Sequence, residues 1–514
     1  MPQATEVFTI VTNDGRYVTV PVEPGITVAQ AMFLHLAGHV KPMCGGAGLC
    51  GRCKTRFLKG TPPLDDAERK LLSPEDIDSS DRLACRHVAA PGMIVAQGGP
   101  AAPVPAPMPT VEAAALAVDL GTTSLQWSAL ALDGRELAFG SDLNPQIGAG
   151  SEIMSRLALA LAGHAPHLRR VVHERLLDLL RLTGYPELLV MAGNPSMTSL
   201  LLGLPVEGLA RAPYHLDYAG GRLERLGEGL PEAYIPPQFG PFVGGDVAAG
   251  VVHLEREVHP APPWLLADFG TNGEFVLALP DGRLLMASVP MGPALEGVGL
   301  SHGCLAGPGA ITGFDLTPAG LLPRILPPCP ENGPSGISGT GAISLLACLR
   351  RAGALDEDGR FMDGPSPLAA RVLTTLDRTR GQPALELSGG LRFTASDVEE
   401  VLKVKAACNH ALASLFEAAA CTPRGVTTVH LAGALGSHVH PEDLAELGFL
   451  PQTLATACRA AGNTSLAGAR LLAMDSAARD HAQSLPERAT VLDLTARSDF
   501  GRHYLERMRF TYVP

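Results

Sequence analysis

One strand-turn-strand plan occurs twice in this chain of 514 residues. The first copy, LAVDLGTTSLQWSALALDGREL, has an apolar run to Asp119, a Gly-Thr-Thr turn, an alternating run and an Asp133-Gly134 turn. The second, LLADFGTNGEFVLALPDGRLL, repeats it with Asp268, Gly270, Thr271 and Asn272 at the turn, and Asp281-Gly282 closes the next hairpin. Two copies of one hairpin unit imply a duplicated α/β domain, which commits most of the chain to a single architecture. The turns also suit phosphate. Gly121 and Gly270 let the backbone approach an anion, while the hydroxyls of Thr122, Thr123 and Thr271 and the N–H groups around Asn272 and Gly273 can donate to its oxygens. Asp119 and Asp268 can each hold Mg2+ through water. A single DxGT hairpin is equally an ordinary β-turn, but two on matching strand plans favour a phosphate site. Neither strand leads into GxxxxGK[ST], so the grip differs from a P-loop.

Near the start, Cys44, Cys50, Cys53 and Cys85 are separated by five, two and 31 residues. The segment CGGAGLCGRC brings three thiolates onto one Gly-rich loop, and RLACR supplies the fourth from a distant element. Gly45, Gly46, Gly48 and Gly51 allow the backbone to fold tightly and aim N–H groups at cluster sulfurs. Plant-type [2Fe-2S] proteins have four residues in the first gap; five resembles the adrenodoxin-like ferredoxins. A four-cysteine zinc site is the alternative, but it usually pairs two close CxxC hairpins, and only Cys50 and Cys53 are so spaced. A disulfide framework is disfavoured because nothing else marks the chain as secreted. The remaining thiols, Cys304, Cys329, Cys348, Cys408, Cys421 and Cys458, show no CxxC spacing and are expected to be buried and inert.

With 46% hydrophobic and 18% charged residues the chain can bury several cores, and its length suggests two to four domains. A net charge of -12 argues against nucleic acid as a partner, since phosphate contacts need clustered Lys and Arg. The opening residues alternate around Asn13-Asp14-Gly15 and read as a β-hairpin rather than a signal peptide. No run reaches the roughly 18 apolar residues of a membrane span, so a reducing, cytoplasmic location is expected. From Gly98 to Thr110, GGPAAPVPAPMPT has five prolines and no charge. Such a segment favours polyproline II and would tether the preceding domain over roughly 30 to 40 Å.

The paired DLGTT and DFGTNGE turns resemble the two phosphate loops of the superfamily that joins sugar kinases, actin and the heat-shock chaperone ATPases. VTTVHLAGALGSH adds a strand running into a Gly-rich turn, where Gly433, Ala434 and Gly436 resemble that superfamily's adenosine loop. In SGTGAISLLACL, Gly339 and Gly341 stand at the mouth of a helix whose free N–H groups can receive phosphate or ribose. Glycines at helix ends also have purely conformational uses.

A ferredoxin joined to such an ATPase is similar to the reductive activators of corrinoid-dependent methyltransferases. The likeness extends through NPQIGAGSEIMSRL from Asn144, AGNPSMTSLLLGL from Ala192, FVGGDVAAG from Phe242, MGPALEGVGL from Met291, LAGALGSH from Leu431 and GNTSLAGARLLAM from Gly462. The chain departs from that pattern at Glu152, where Asp is usual, and at Leu435, where Phe is usual. The resemblance implies a multidomain α+β and α/β protein: a β-grasp [2Fe-2S] ferredoxin domain and a duplicated actin-like ATPase. Expected boundaries are 1–97 for the ferredoxin domain, 98–112 for the Pro/Ala-rich linker, 113–190 for a middle domain with the first phosphate hairpin, and 191–514 for the C-terminal ATPase domain. It further implies an ATP- and Mg2+-dependent enzyme that returns the Co(II) corrinoid of a methyltransferase system to Co(I), with an external low-potential electron donor. It allows a homodimer, without nucleic acid or membrane partners.

The implied chemistry gives the fusion a reason. Each 59 mV of unfavourable one-electron transfer costs about 1.4 kcal/mol, so a deficit of roughly 200 mV costs about 5 kcal/mol. ATP is expected to supply this by closing the two halves around Asp119 and Asp268. Glu274, beyond the second turn, is a candidate to orient a hydrolytic water, or else an exposed strand residue. Glu296 is a candidate lining the cleft, and Asn144 and Arg156 read as either functional or a buried structural pair. Three alternatives stay open: an activator like those of 2-hydroxyacyl-CoA dehydratases, a small-molecule kinase with a redox module, and a redox-sensing ATP-binding protein. The first binds [4Fe-4S] through its ATPase domain, whereas these cysteines precede it, and the second needs a base that the sequence does not identify. The tail from Asp493 is expected to form a short helix and strand.

Overall fold

The computed structural model describes residues 6–36, 46, 48, 50–97, 110–150, 152–291, 295, 299–331, 333–379, 381–495 and 499–514. In the N-terminal domain, the alternating segments Val7–Val11 and Tyr17–Pro21 pair antiparallel, and Gly15 takes the positive φ of the turn between them. These strands join Ile94–Ala96, Lys54–Lys59 and Asp81–Leu83 in a five-stranded sheet. Helix Val28–His35 starts at a Thr27/Gln30 capping box and buries Val28 and Met32 with Phe8, Ile10, Phe57 and Leu83. This is the β-grasp arrangement.

The duplication appears as two six-stranded sheets. One has the order Arg222–Arg225, Glu232–Ile235, Leu188–Gly193, Ala115–Leu120, Ser124–Leu130, Glu136–Leu143. The other runs Cys458–Gly462, Thr428–Ala432, Trp264–Phe269, Asn272–Ala278, Leu284–Pro290, Ala489–Val491. In each, the strand leading into a phosphate turn has an antiparallel hairpin partner on one side and a parallel strand on the other. Central strands such as Ala115–Leu120 and Trp264–Phe269 are nearly continuous apolar runs because both faces are covered.

The boundary expected at residue 190 falls inside Leu188–Gly193, at the heart of the first sheet. Gly184 marks only the end of helix Ala165–Leu182, and the sheet continues to Ile235 because Glu232–Ile235 pairs parallel to Leu188–Gly193. The first half therefore extends through helix Gly245–His253. In the tail, helix Phe500–Glu506 forms as expected, but the described residues after it make no strand. The Lys405 ammonium and Asn409 side chain instead hold the carbonyls of Thr511 and Val513. Most of the linker, residues 98–109, lies outside the described residues. No described helix is long and apolar enough to cross a membrane.

The two halves meet where helix Gly245–His253 crosses helix Thr464–Met474. A Cβ on Gly468 would stand 1.8 Å from the Ala249 carbonyl oxygen, and one on Gly250 would stand 2.9 Å from Thr464 Oγ1. Bare backbone is required at this contact. Gly468→Val is expected to cost roughly 3 kcal/mol or more, since a backbone clash leaves no side chain to yield. Gly501→Ala, in a helix and facing open space, should instead stabilise by about 0.5–1 kcal/mol. Thermal denaturation of both variants checks this: equal shifts would show that the crossing tolerates a side chain.

Candidate functional site

The two phosphate turns face one another across a cavity of about 690 Å3. Asp119, Gly121, Thr122, Thr123, Asp268, Gly270, Thr271, Asn272, Glu274, Gly339, Gly433 and Ala434 line it, so most of the residues singled out in the sequence come together. Gly273, Gly341 and Gly436 stand behind this lining. A Cβ on Gly273 would meet Met291 Sδ at 2.7 Å, one on Gly341 the Ile311 carbonyl at 2.3 Å, and one on Gly436 Leu431 at 3.1 Å. Their place is in close packing. Gly433 has φ +79°, and a Cβ there would sit 2.5 Å from Asp268 Oδ1, so the loop presses directly on the carboxylate. Glu296 and Cys44 lie outside the described residues.

The turn tips already touch, with Thr123 Oγ1 3.0 Å from Thr271 Oγ1. The first turn is held from below. Asn144 donates from Nδ2 to the Gly121 carbonyl at 2.7 Å, and the fully buried Arg156 donates from Nη2 to the Thr122 carbonyl at 2.5 Å. Both side chains position the loop.

Four carboxylates dominate the electrostatics. Asp119 accepts from Asn463 Nδ2 at 2.7 Å and Ser465 Oγ at 2.8 Å, which ties the first half's turn to the second half's helix. Burial raises its pKa, against the pull of those two donors. Asp268 is pushed up to about 7, first by burial and then by the charges of Asp119 and Asp246. Glu274 lies opposite Asp268 across the hairpin, so the two side chains share one face. Burial and the charges of Asp246 and Asp268 hold it well above the usual carboxylate range. All four are partly open to the cavity, yet deep enough that protein displaces most of their water.

Asp246 is the carboxylate that sequence reasoning missed. It opens helix Gly245–His253 and is pushed up to about 7 by burial and by Asp119. Its only linear mark is the Gly-Gly-Asp run at a helix start. Asn463 and Asn194 were also missed, because each doubles as a helix cap. Asn194 Oδ1 accepts from Met197 N while its Nδ2 donates to Thr122 Oγ1 at 3.0 Å; Asn463 caps Leu466 N while holding Asp119.

Among the described lining residues there is no Lys or Arg. A triphosphate cannot enter a cavity of carboxylates without bringing a cation. No three described side chains converge as a ready cage for one. That suits Mg2+, which keeps several waters and is carried on phosphate oxygens.

In the N-terminal domain, Cys53 Sγ and Cys85 Sγ are 3.1 Å apart and buried, and Cys50 lies on the same loop. Gly46, Gly48 and Gly51 all take positive φ, as a tight turn around a cluster requires. This soft sulfur set fits iron. Of the other thiols, Cys348, Cys408 and Cys458 are buried as expected, but Cys329 is exposed and Cys304 lines the cavity between the turns.

Comparison with known proteins places these domains. Residues 11–90 match the 2Fe-2S iron-sulfur cluster binding domain, 114–258 the RACo middle region, and 263–513 the C-terminal domain of RACo, the ASKHA domain. The chain is 27% identical over 441 residues to the [Co(II) methylated amine-specific corrinoid protein] reductase of Methanosarcina barkeri, covering 76% of each chain. It is 26% identical over 431 residues to the corrinoid activation enzyme RamQ of Eubacterium limosum, covering 77% of this chain and 70% of the relative. Its fold is that of a reductive activator for corrinoid, iron-sulfur protein, with a TM-score of 0.67 and 21% identity over 98% of both chains. The N-terminal domain thus carries a [2Fe-2S] cluster and the ASKHA domain binds nucleotide. By domain content, order and fold, the chain belongs to the RACo-type reductive activators, the family its cysteine loop and paired turns resemble.

Proposed function

We propose that this protein uses ATP to drive the reduction of an inactive Co(II) corrinoid, held by a methyltransferase system's corrinoid protein, to Co(I). The observation that carries the reading is the joining, in one chain, of a ferredoxin-type cysteine loop to a two-lobed, acid-lined nucleotide cavity. Cys44, Cys50, Cys53 and Cys85 would hold the [2Fe-2S] cluster, which supplies a one-electron couple when bound. The electron would come from a separate low-potential donor, since the domain set contains a single redox module. A homodimer is a separate expectation for light scattering to check.

The nucleotide steps follow from the cavity. Oxygens of the triphosphate replace the Thr123–Thr271 contact and accept from the turn N–H groups. Asp119 and Asp268, from opposite halves, would hold the hydrated Mg2+. Asp246, raised to about 7, and Glu274, held well above the usual carboxylate range, are placed to orient a water and take its proton. Gly433 and Ala434 border the adenosine side. Asn144 and Arg156 keep the first turn in shape while the halves move.

Anaerobic mixing of protein, low-potential reductant, Mg2+·ATP and a Co(II) corrinoid protein should produce the cobalt absorption change of Co(I). Asp246→Asn should slow it by roughly 100-fold, the scale of a positioned acid-base group, with the cluster spectrum unchanged. ATP hydrolysis without Co(I) for any corrinoid partner would remove the reading, and phosphorylation of a metabolite without reductant would favour a kinase.

The raised carboxyls give a pH dependence with a definite sign. Asp268, near 7 in the folded protein, must lose its proton to face Mg2+, so Mg2+·ATP affinity should fall about tenfold between pH 8 and pH 6. Its effect on stability runs the other way. A carboxyl raised on folding contributes stability that is full below its unfolded value of 3.8 and lost as pH rises through about 7. Nucleotide-free protein should therefore lose melting temperature from pH 5 to 8 more steeply than Asp268→Asn. Parallel curves would show that Asp268 is already ionised at pH 6.

A further inference from the structure

The ferredoxin domain is seated on the ATPase. Helix Val28–His35 lies against the turn Pro145–Ala149, and the ring of Phe33 occupies the space that a side chain at position 148 would need. A Cβ on Gly148 would come within 2.2 Å of it. Phe33 also meets the His167 ring edge-on, centroids 4.9 Å apart, and the Glu23 carboxylate stands 2.9 Å from His164 Nε2. Further along, Ile147 packs against both Cys50 of the cysteine loop and Leu305. Arg52 is near enough to Cys304 for its charge to act on that thiol.

The cysteine loop spans the joint between the halves. Ile147 belongs to the first half and moves with its phosphate turn, because Asn144 holds the Gly121 carbonyl through Nδ2, accepts from Gln146 N at 2.8 Å, and gives its own N–H to Thr123 O at 2.9 Å. Leu305 belongs to the second half. It lines the cavity beside Cys304, whose N–H bonds Ile337 O next to the capping Ser338. The cysteine loop therefore reaches both sides of the gap, with Cys50 on Ile147 of the first half and Arg52 near Cys304 of the second.

We propose that the Gly148 seat and the Ile147–Leu305 joint form a docking surface for this chain's own ferredoxin domain, and that Mg2+·ATP and the docked domain oppose each other there. Phosphate parts Thr123 from Thr271, the same displacement parts Ile147 from Leu305, and the loop's two footholds, Ile147 under Cys50 and Cys304 beside Arg52, draw apart. Nucleotide thus releases the cysteine loop from the mouth of the cleft for contact with another protein. Coupling of two binding events is reciprocal, so a domain that cannot dock must leave a cleft that binds nucleotide more tightly. This rests on nucleotide binding between the two turns, as proposed above.

Two variants on opposite sides of the contact test it in the full-length, cluster-loaded protein: Phe33→Asp on the ferredoxin domain and Gly148→Trp on its seat. Small-angle X-ray scattering should show Mg2+·ATP enlarging the wild-type protein, and both variants enlarged without it. A fluorescent ATP analogue with Mg2+ should bind both variants at least about fivefold more tightly than wild type. The cluster's visible spectrum and the melting temperature certify that each variant is folded. Variants that are enlarged yet bind with wild-type affinity would overturn the coupling, and variants that stay compact would overturn the seat. If the wild type binds no Mg2+·ATP, the proposed function fails; if it binds but stays compact, only this inference does.

Discussion

Helices Gly245–His253 and Thr464–Met474 cross where Gly250 and Gly468 remove the side chains between them, and the geometry of the cleft depends on that crossing. It sets Asp246 at one helix start and Asn463 and Ser465 at the other, within reach of Asp119. A wider crossing would take both donors from Asp119 and leave a buried carboxylate without partners, which costs several kcal/mol or forces it to stay protonated. The glycines thus act on the nucleotide site without touching it. Two rigid sheets share one pivot, and a small rotation about it becomes a change in spacing between the phosphate turns.

The cavity charge follows from the same arrangement. Four carboxylates from which water is partly excluded cannot all ionise comfortably, so burial and mutual repulsion raise their hold on protons until a cation arrives. Asn463 and Ser465 spare Asp119 from the full effect, while Asp268 and Glu274, paired across a hairpin, bear it. With no described Lys or Arg in the lining, a triphosphate proposed there needs a cation as its counter-charge. Selectivity for the metal-bound form is then a property of the lining as a whole.

What the sequence made legible was local. The phosphate turns could be read because Asp, Gly and Thr adjoin within one hairpin, and the cysteine loop because its glycines and thiols share ten residues. The parallel return of Glu232–Ile235 to Leu188–Gly193 links residues some forty positions apart, so a domain edge was expected at residue 190, inside the sheet. Asp246 was invisible as an acid because its significance lies in facing Asp119 and Asp268, residues of other elements. Asn194 and Asn463 looked like ordinary caps, since one amide can cap a helix with its oxygen and serve a site with its nitrogen. Glu274, read as exposed strand or water holder, proved to face the cavity because its hairpin register places it beside Asp268.

The docked ferredoxin domain changes what the Pro-rich linker is for. A short tether keeps a released domain at an effective concentration on the order of millimolar, so a docking contact of only millimolar strength stays about half occupied. The contact observed is of that modest kind: one ring over a glycine, one carboxylate beside a histidine, one loop across a joint. A large apolar interface would hold the domain against any nucleotide, and none at all would leave nothing for nucleotide to change. Because a ligand shifts an equilibrium only by its differential affinity for the two states, a weak seat that straddles the moving joint is what lets the ordinary binding energy of a nucleotide decide where the cysteine loop resides.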